Sequence, residues 1–180
     1  MKSRFEHDEL IYEGRVSEVH KVGVKMPDGN VVDRDLILYT GAAVILPVLG
    51  DGSIVMIRNY RFAVDQTLWE LPAGMLEKDE VPAVCAAREL TEETGYTADE
   101  IRPMGMFYTT PGTSNEEMHA FLATGLTDGR QNLEGYEQIE VDVLPEQRVR
   151  QMVLDGTIRD GKTIATLAWY WMRRDATDRK

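Results

Sequence analysis

One cysteine, Cys85, in 180 residues excludes an internal disulfide and suits a reducing compartment. Nowhere does the chain hold the run of about eighteen apolar residues that a membrane helix needs. Its opening stretch, Met1-Lys2-Ser3-Arg4-Phe5-Glu6-His7-Asp8-Glu9, has no apolar core that could serve as a secretory signal. A soluble, cytoplasmic protein with no membrane attachment is expected. Basic residues are also scarce: 20 Lys and Arg against 31 Asp and Glu give a formal net charge of −11. Nucleic-acid affinity rests on basic surface, so binding a phosphate backbone is excluded as the main task. The same balance disfavours a naked anionic substrate unless metal ions and arginine offset it locally. Internal repeats and low-complexity segments are absent. What is there, 43% hydrophobic residues, can bury one good core and fits one domain or a domain with a small appendage.

The most informative stretch is Gly74-x5-Glu80-x7-Arg88-Glu89-Leu90-x-Glu92-Glu93-x-Gly95-Tyr96, which gathers carboxylates and one arginine around a loop and a helix. At about 100° per residue, Glu89, Glu92 and Glu93 share one helical face, and Ala83, Ala86, Ala87 and Leu90 fall on the other; the small apolar face is expected to be buried and the carboxylates to be held out. Like charges three and four residues apart repel by a few tenths of a kcal/mol each, and a cation would remove that repulsion. Carboxylate oxygens are hard ligands that favour Mg²⁺ or Mn²⁺ over zinc. Most Glu-rich helices are only solvated acidic faces; the flanking pattern is what raises this one to a candidate site. Upstream, Trp69-Glu70-Leu71-Pro72-Ala73-Gly74 reads as a strand ending in a Pro/Gly turn, so the Ala73 carbonyl is expected beside the helix rather than in a sheet. Arg88 is expected to pair with Glu80 or Glu77 and pin the loop to the helix. Cys85 is expected to be a packing residue.

Periodicity supplies the rest of the architecture. Leu10 to Met26 alternates weakly into the turn Pro27-Asp28-Gly29-Asn30, and Val31 to Tyr39 returns as a strand. Ala42 to Leu49 and Ile54 to Arg58 flank a second turn. A helix over roughly residues 81–94 stops at Gly95. Strands are expected near residues 104–108, 118–124 and 138–143, then helices near 146–154 and 162–173, the last capped by Asp160. This order predicts an α/β fold: an α/β/α sandwich around a mixed β-sheet, with an N-terminal antiparallel β unit. The expected division is residues 1–40 for the β unit, 41–174 for the main domain and 175–180 for a tail that frays.

The Gly74–Tyr96 pattern resembles the Nudix box of hydrolases that cleave a nucleoside diphosphate linked to another moiety. Every fixed position matches except the last, usually aliphatic and here Tyr96. The resemblance implies that Glu89, Glu93 and the Ala73 carbonyl bind catalytic metal, with Glu92 as a nearby or additional ligand. Further marks resemble the ADP-ribose pyrophosphatase branch: Pro111 sixteen residues after Gly95, the run from Pro111 to Glu116, and Ile158-Arg159-Asp160-Gly161-Lys162-Thr163. For the group that activates water, two loop glutamates fit, Glu116 and Glu137, and both stay open; the resemblance places Glu92 among the catalytic residues with them. Arg61 and Arg34 match positions that touch substrate in relatives, and Glu70, Met75 and Gly112 are placed there as well. Some relatives carry Trp or Tyr in the N-terminal unit to stack on adenine, where this chain has Gly14-Arg15-Val16 and Asp33-Arg34-Asp35. The resemblance thus implies a Mg²⁺-dependent hydrolase of a nucleoside diphosphate sugar, ADP-ribose first, working as a homodimer. GDP-mannose hydrolysis is the alternative within enzymes, and a non-catalytic ADP-ribose sensor the alternative outside them. An intact set of Glu89, Glu92 and Glu93 argues against the sensor, which would not need all three.

Overall fold

The computed structural model describes residues 5–133, 135 and 138–177. The chain divides into two compact units, one of Met1–Gly41 with Tyr108–Glu117, the other of Ala42–Phe107 with Met118–Lys180.

The first unit is a three-stranded antiparallel sheet of β1 (Asp8–Glu13), β2 (Glu18–Lys25) and β3 (Val31–Leu38), in that order. The weakly alternating run from Leu10 to Met26 is therefore two strands. A tight turn, in which the Gly14 N–H donates to the Ser17 carbonyl at 2.9 Å, divides them. The second turn forms at the expected place, with Gly29 at φ +89° and the Asp28 carboxylate accepting the Asn30 N–H. The loop Thr109–Glu116 belongs to this unit, which the sequence did not indicate. Its Thr113 carbonyl accepts the Ile37 N–H at 2.8 Å, and the Asn115 side chain bonds both backbone groups of Tyr39.

In the second unit β4 (Ala42–Pro47) is buried along its whole length, as a strand covered on both faces must be. Its side chains alternate between two cores. Ala42, Val44 and Leu46 pack with Val149, Met152 and Leu167 of α2 (Glu146–Leu154) and α3 (Gly161–Thr177); Ala43 and Ile45 pack with Cys85, Ala86 and Leu90 of α1 (Pro82–Thr94). Helices on opposite faces of β4 are the α/β/α layering expected from the element order. Two sheets share it rather than one. The mixed sheet runs β7 (Ala73–Met75), β4, β9 (Glu117–Thr127), β8 (Thr97–Tyr108), with β4 and β9 parallel; β10 (Ile139–Leu144), β5 (Ile54–Arg61) and β6 (Gln66–Glu70) form an antiparallel one. The strands on either side of the Gly50–Ser53 turn share only the bridge between Val48 and Ile54 before they diverge into separate sheets.

Two boundaries moved. The strand expected near residues 104–108 begins at Thr97, and α3 continues to Thr177, past the point where the tail was expected to start.

Candidate active site

Pro82 at the first helical position starts α1 and Gly95 ends it in the left-handed region at φ +80°, its N–H bonded to the Thr91 carbonyl at 2.9 Å. The buried face of α1 differs from the expected one. Ala83 and Ala87 are exposed, and the core takes Cys85, Ala86 and Leu90 together with Glu89 and Glu93. Glu89 and Glu93 are thus not held out to solvent: they are only 9% and 3% exposed. A buried carboxylate is retained only with partners, and β7 and Arg88 supply them.

The Ala73 residue lies in a strand, contrary to the sequence expectation, paired opposite Val44. The ladder bonds to β4 fall on its neighbours, since the Ile45 N–H donates to the Pro72 carbonyl at 2.9 Å. The polar groups of alternate residues in an antiparallel strand point to opposite edges, so Ala73 turns both its N–H and its carbonyl away from β4. Its N–H donates to Glu93 Oε2 at 2.8 Å, and its carbonyl shares that edge. Gly74 follows, and a Cβ added there would land on the Glu89 carboxylate. Only glycine lets strand and helix close this far.

Arg88 is the hub. It donates to both Glu80 oxygens at 3.0 Å, to Glu89 Oε1 at 2.6 Å, to Glu92 Oε2 at 3.0 Å and to the Met75 carbonyl at 3.1 Å. The expected link to Glu80 is present; Glu77 instead donates its backbone N–H to Glu80. Hydrogen bonding to Arg88 holds the Glu80 carboxyl below its ordinary range. Part of the repulsion among the box glutamates is therefore relieved by the protein itself. Met75, expected to contact substrate, has its carbonyl engaged by Arg88 and by the Cys85 thiol. That thiol is pushed up to about 12, first by burial and then by the charges of Glu80 and Glu89.

Among the described residues no three His, Cys, Asp or Glu side chains stand grouped around one point as a metal cage. The donors nevertheless fit a hard divalent cation. Glu89 and Glu93 lie one turn apart and the Ala73 carbonyl is on the same edge, all of them hard oxygen donors.

Beside Glu93 the sequence had missed a second network. Arg61, at the end of β5, forks Glu70 through Nε and Nη2 at 2.8 and 2.6 Å, and Lys162 Nζ reaches Glu70 Oε2 at 2.5 Å and Asp160 Oδ2 at 3.0 Å. Glu70, which the resemblance places among the substrate contacts, is fully buried, with both oxygens accepting from Arg61 and one also from Lys162. Asp160 does cap α3, accepting the Thr163 N–H at 3.0 Å, and Thr163 Oγ1 accepts the Leu71 N–H at 2.8 Å. The available signal was Lys162 in the Asp160-Gly161-Lys162-Thr163 segment, a cation at a helix start, where positive charge is disfavoured without an acid to receive it.

In the first unit, Arg34 and Gly112 line one cavity of about 750 Å³ with Phe5, Tyr39 and Tyr108. The aromatic residues of that cavity come from segments other than Gly14-Arg15-Val16 and Asp33-Arg34-Asp35. Glu116 follows in the same loop, its carboxylate accepting the Thr109 hydroxyl. Glu137 lies outside the described residues.

A buried glutamate pair closed by glycine, an arginine hub and α/β/α layering define a class: the chain belongs to the NUDIX domain family, which residues 38–167 match. It is a hydrolase of phosphoanhydride bonds, and such enzymes generally use a divalent metal. Among individual proteins it is 34% identical over 167 residues to an ADP-ribose pyrophosphatase of Bacillus subtilis (strain 168), covering 92% of this chain and 90% of that one. It is 38% identical over 152 residues to a GDP-mannose pyrophosphatase of Salmonella typhimurium (strain LT2), covering 78% and 79%. A crystal structure of an ADP compounds hydrolase, 17% identical, has the same fold, with a TM-score of 0.84 over 98% of this chain and 96% of that one.

Proposed function

We propose that the protein hydrolyses the diphosphate bond of a nucleoside diphosphate sugar, ADP-ribose above others, with Mg²⁺ as cofactor and Mn²⁺ as substitute. The observation that carries this reading is the buried Glu89 and Glu93 pair facing the Ala73 edge of β7. A divalent cation bound there supplies positive charge to the phosphate oxygens. Arg61 binds a phosphate through the end of its guanidinium that Glu70 leaves uncovered. Glu116 or Glu137 takes the proton from the attacking water. The water oxygen bonds to one phosphorus, the bond from that phosphorus to the bridging oxygen breaks, and AMP and ribose 5-phosphate leave. Arg34 and Gly112 hold the nucleotide in the cavity with Tyr39 and Tyr108.

Identity of 38% to a GDP-mannose pyrophosphatase favours GDP-mannose as the second reading. The working assembly is a homodimer joined through the N-terminal β unit, residues 1–40, with residues 41–174 as the catalytic domain. A panel of ADP-ribose, GDP-mannose, other nucleotide sugars and dinucleoside polyphosphates, with products identified, tests the reading. The expected result is fastest turnover of ADP-ribose with equal yields of AMP and ribose 5-phosphate. Failure to cleave any nucleotide sugar in Mg²⁺ or Mn²⁺ would sink it.

A further inference from the structure

Glu70 has no exposed surface, yet it is ionisable and sits at the end of β6 with two cations on it. Burying such a cluster is expensive, and apolar residues of the same shape commonly do as well or better for stability. Its geometry has a direction. Lys162, only 13% exposed, lies behind Glu70 and is itself anchored by Asp160 at the α3 cap; Arg61, 41% exposed, lies in front. Arg61 spends Nε and one N–H of Nη2 on Glu70, and among the described residues its Nη1 donates to none. An arginine held along one edge of its plane presents the other N–H groups at a fixed angle, and that end matches two oxygens of a phosphate. The cluster also adjoins the cation donors, because Leu71 and Pro72 alone separate Glu70 from Ala73, whose N–H binds Glu93.

We propose that Glu70, fixed from behind by Lys162, is a positioning residue that orients Arg61 toward a phosphate of the substrate. This rests on the reading of the site as a diphosphate hydrolase. Glu70 touches no substrate atom; without its fork, Arg61 keeps its charge and loses its aim.

The test compares wild type, Glu70→Gln, Arg61→Lys and the double variant in Mg²⁺. Three quantities are read: KM and kcat for ADP-ribose, calorimetric affinity for inorganic pyrophosphate, and thermal unfolding. Glu70→Gln is expected to raise KM and weaken pyrophosphate binding by about tenfold each, with kcat falling much less. The second substitution should then cost little, because both act through one contact. If Glu70→Gln does not fold, Lys162→Met replaces it, with a smaller loss and the same non-additivity with Arg61→Lys. Wild-type KM and pyrophosphate affinity in a folded Glu70→Gln protein, or additive losses, would overturn the proposal, as would a wild type that binds no pyrophosphate. A wild type that cleaves no nucleotide sugar but shows coupled pyrophosphate binding would overturn the proposed function and leave the positioning role standing.

Discussion

Glu93 is almost wholly inside, and its carboxylate accepts the Ala73 backbone N–H. Replacing it with Gln preserves shape and an acceptor oxygen for Ala73, and removes one charge from a crowded acidic site. Turnover should fall by orders of magnitude in saturating Mg²⁺ while thermal unfolding stays near wild type; an active Glu93→Gln enzyme would show the cation is held elsewhere. The water-activating residue is decided by a pair of variants. Glu116→Gln and Glu137→Gln, compared at saturating substrate and metal, should differ, one losing roughly 10²–10⁴ in rate. Equal, minor losses would mean that neither loop glutamate is the base. At this scale the spacing of the box was enough to anticipate the Arg88–Glu80 pair, which the fold shows. It did not show the partners of Glu70, because a carboxylate near a glycine turn reads the same whether or not it holds two cations from residues 9 and 92 positions away.

The loop before α1 is held to the helix by Arg88, and the pair it makes with Glu80 sets a pH dependence. Glu80 titrates below its ordinary value of 4.5, chiefly through its hydrogen bonds to Arg88. A depressed carboxyl contributes stability that is fully present above the unfolded value and is lost as pH falls through the folded one. Glu80→Gln should therefore unfold about 1–2 kcal/mol more easily at neutral pH, and the gap should close as acid takes wild-type Glu80 through its lowered value. Denaturant melts of both proteins at successive pH steps check this; a gap that persists unchanged in strong acid would remove the charged pair as its cause. The limits of α1 were legible in Pro82 and Gly95. Which side of it is buried was not, because periodicity treats glutamate as polar and cannot know that β7 offers Glu93 a backbone donor.

For the whole molecule the proposed homodimer predicts a particle twice the 20.4 kDa chain by light scattering at concentrations where the enzyme is fully active. The first unit's sheet leaves Leu10, Ile11, Tyr12 and Val31 about half or more exposed, and a three-stranded sheet with so much apolar surface gains from being covered. Trimming the residues before Gly41 should lose both dimer and substrate affinity, with Arg34 acting in trans. A monomer mass at full activity would rule the assembly out. By itself the sequence determined the existence and order of most elements, the α/β class and the position of the glutamate box, since alternation, caps and fixed spacing are local properties of the chain. Tertiary structure alone decided the rest. It split the first alternating run into two strands, placed the Thr109–Glu116 loop with β3, parted β4 and β5 into different sheets and joined Arg61, Glu70 and Lys162. The loop placement, the parting of β4 from β5 and the Lys162 link depend on pairings between residues far apart in the chain, whose partners are chosen by which surfaces and charges must be buried together. The β1–β2 turn and the Arg61–Glu70 pair are closer in sequence but still need a partner outside the segment that carries the pattern.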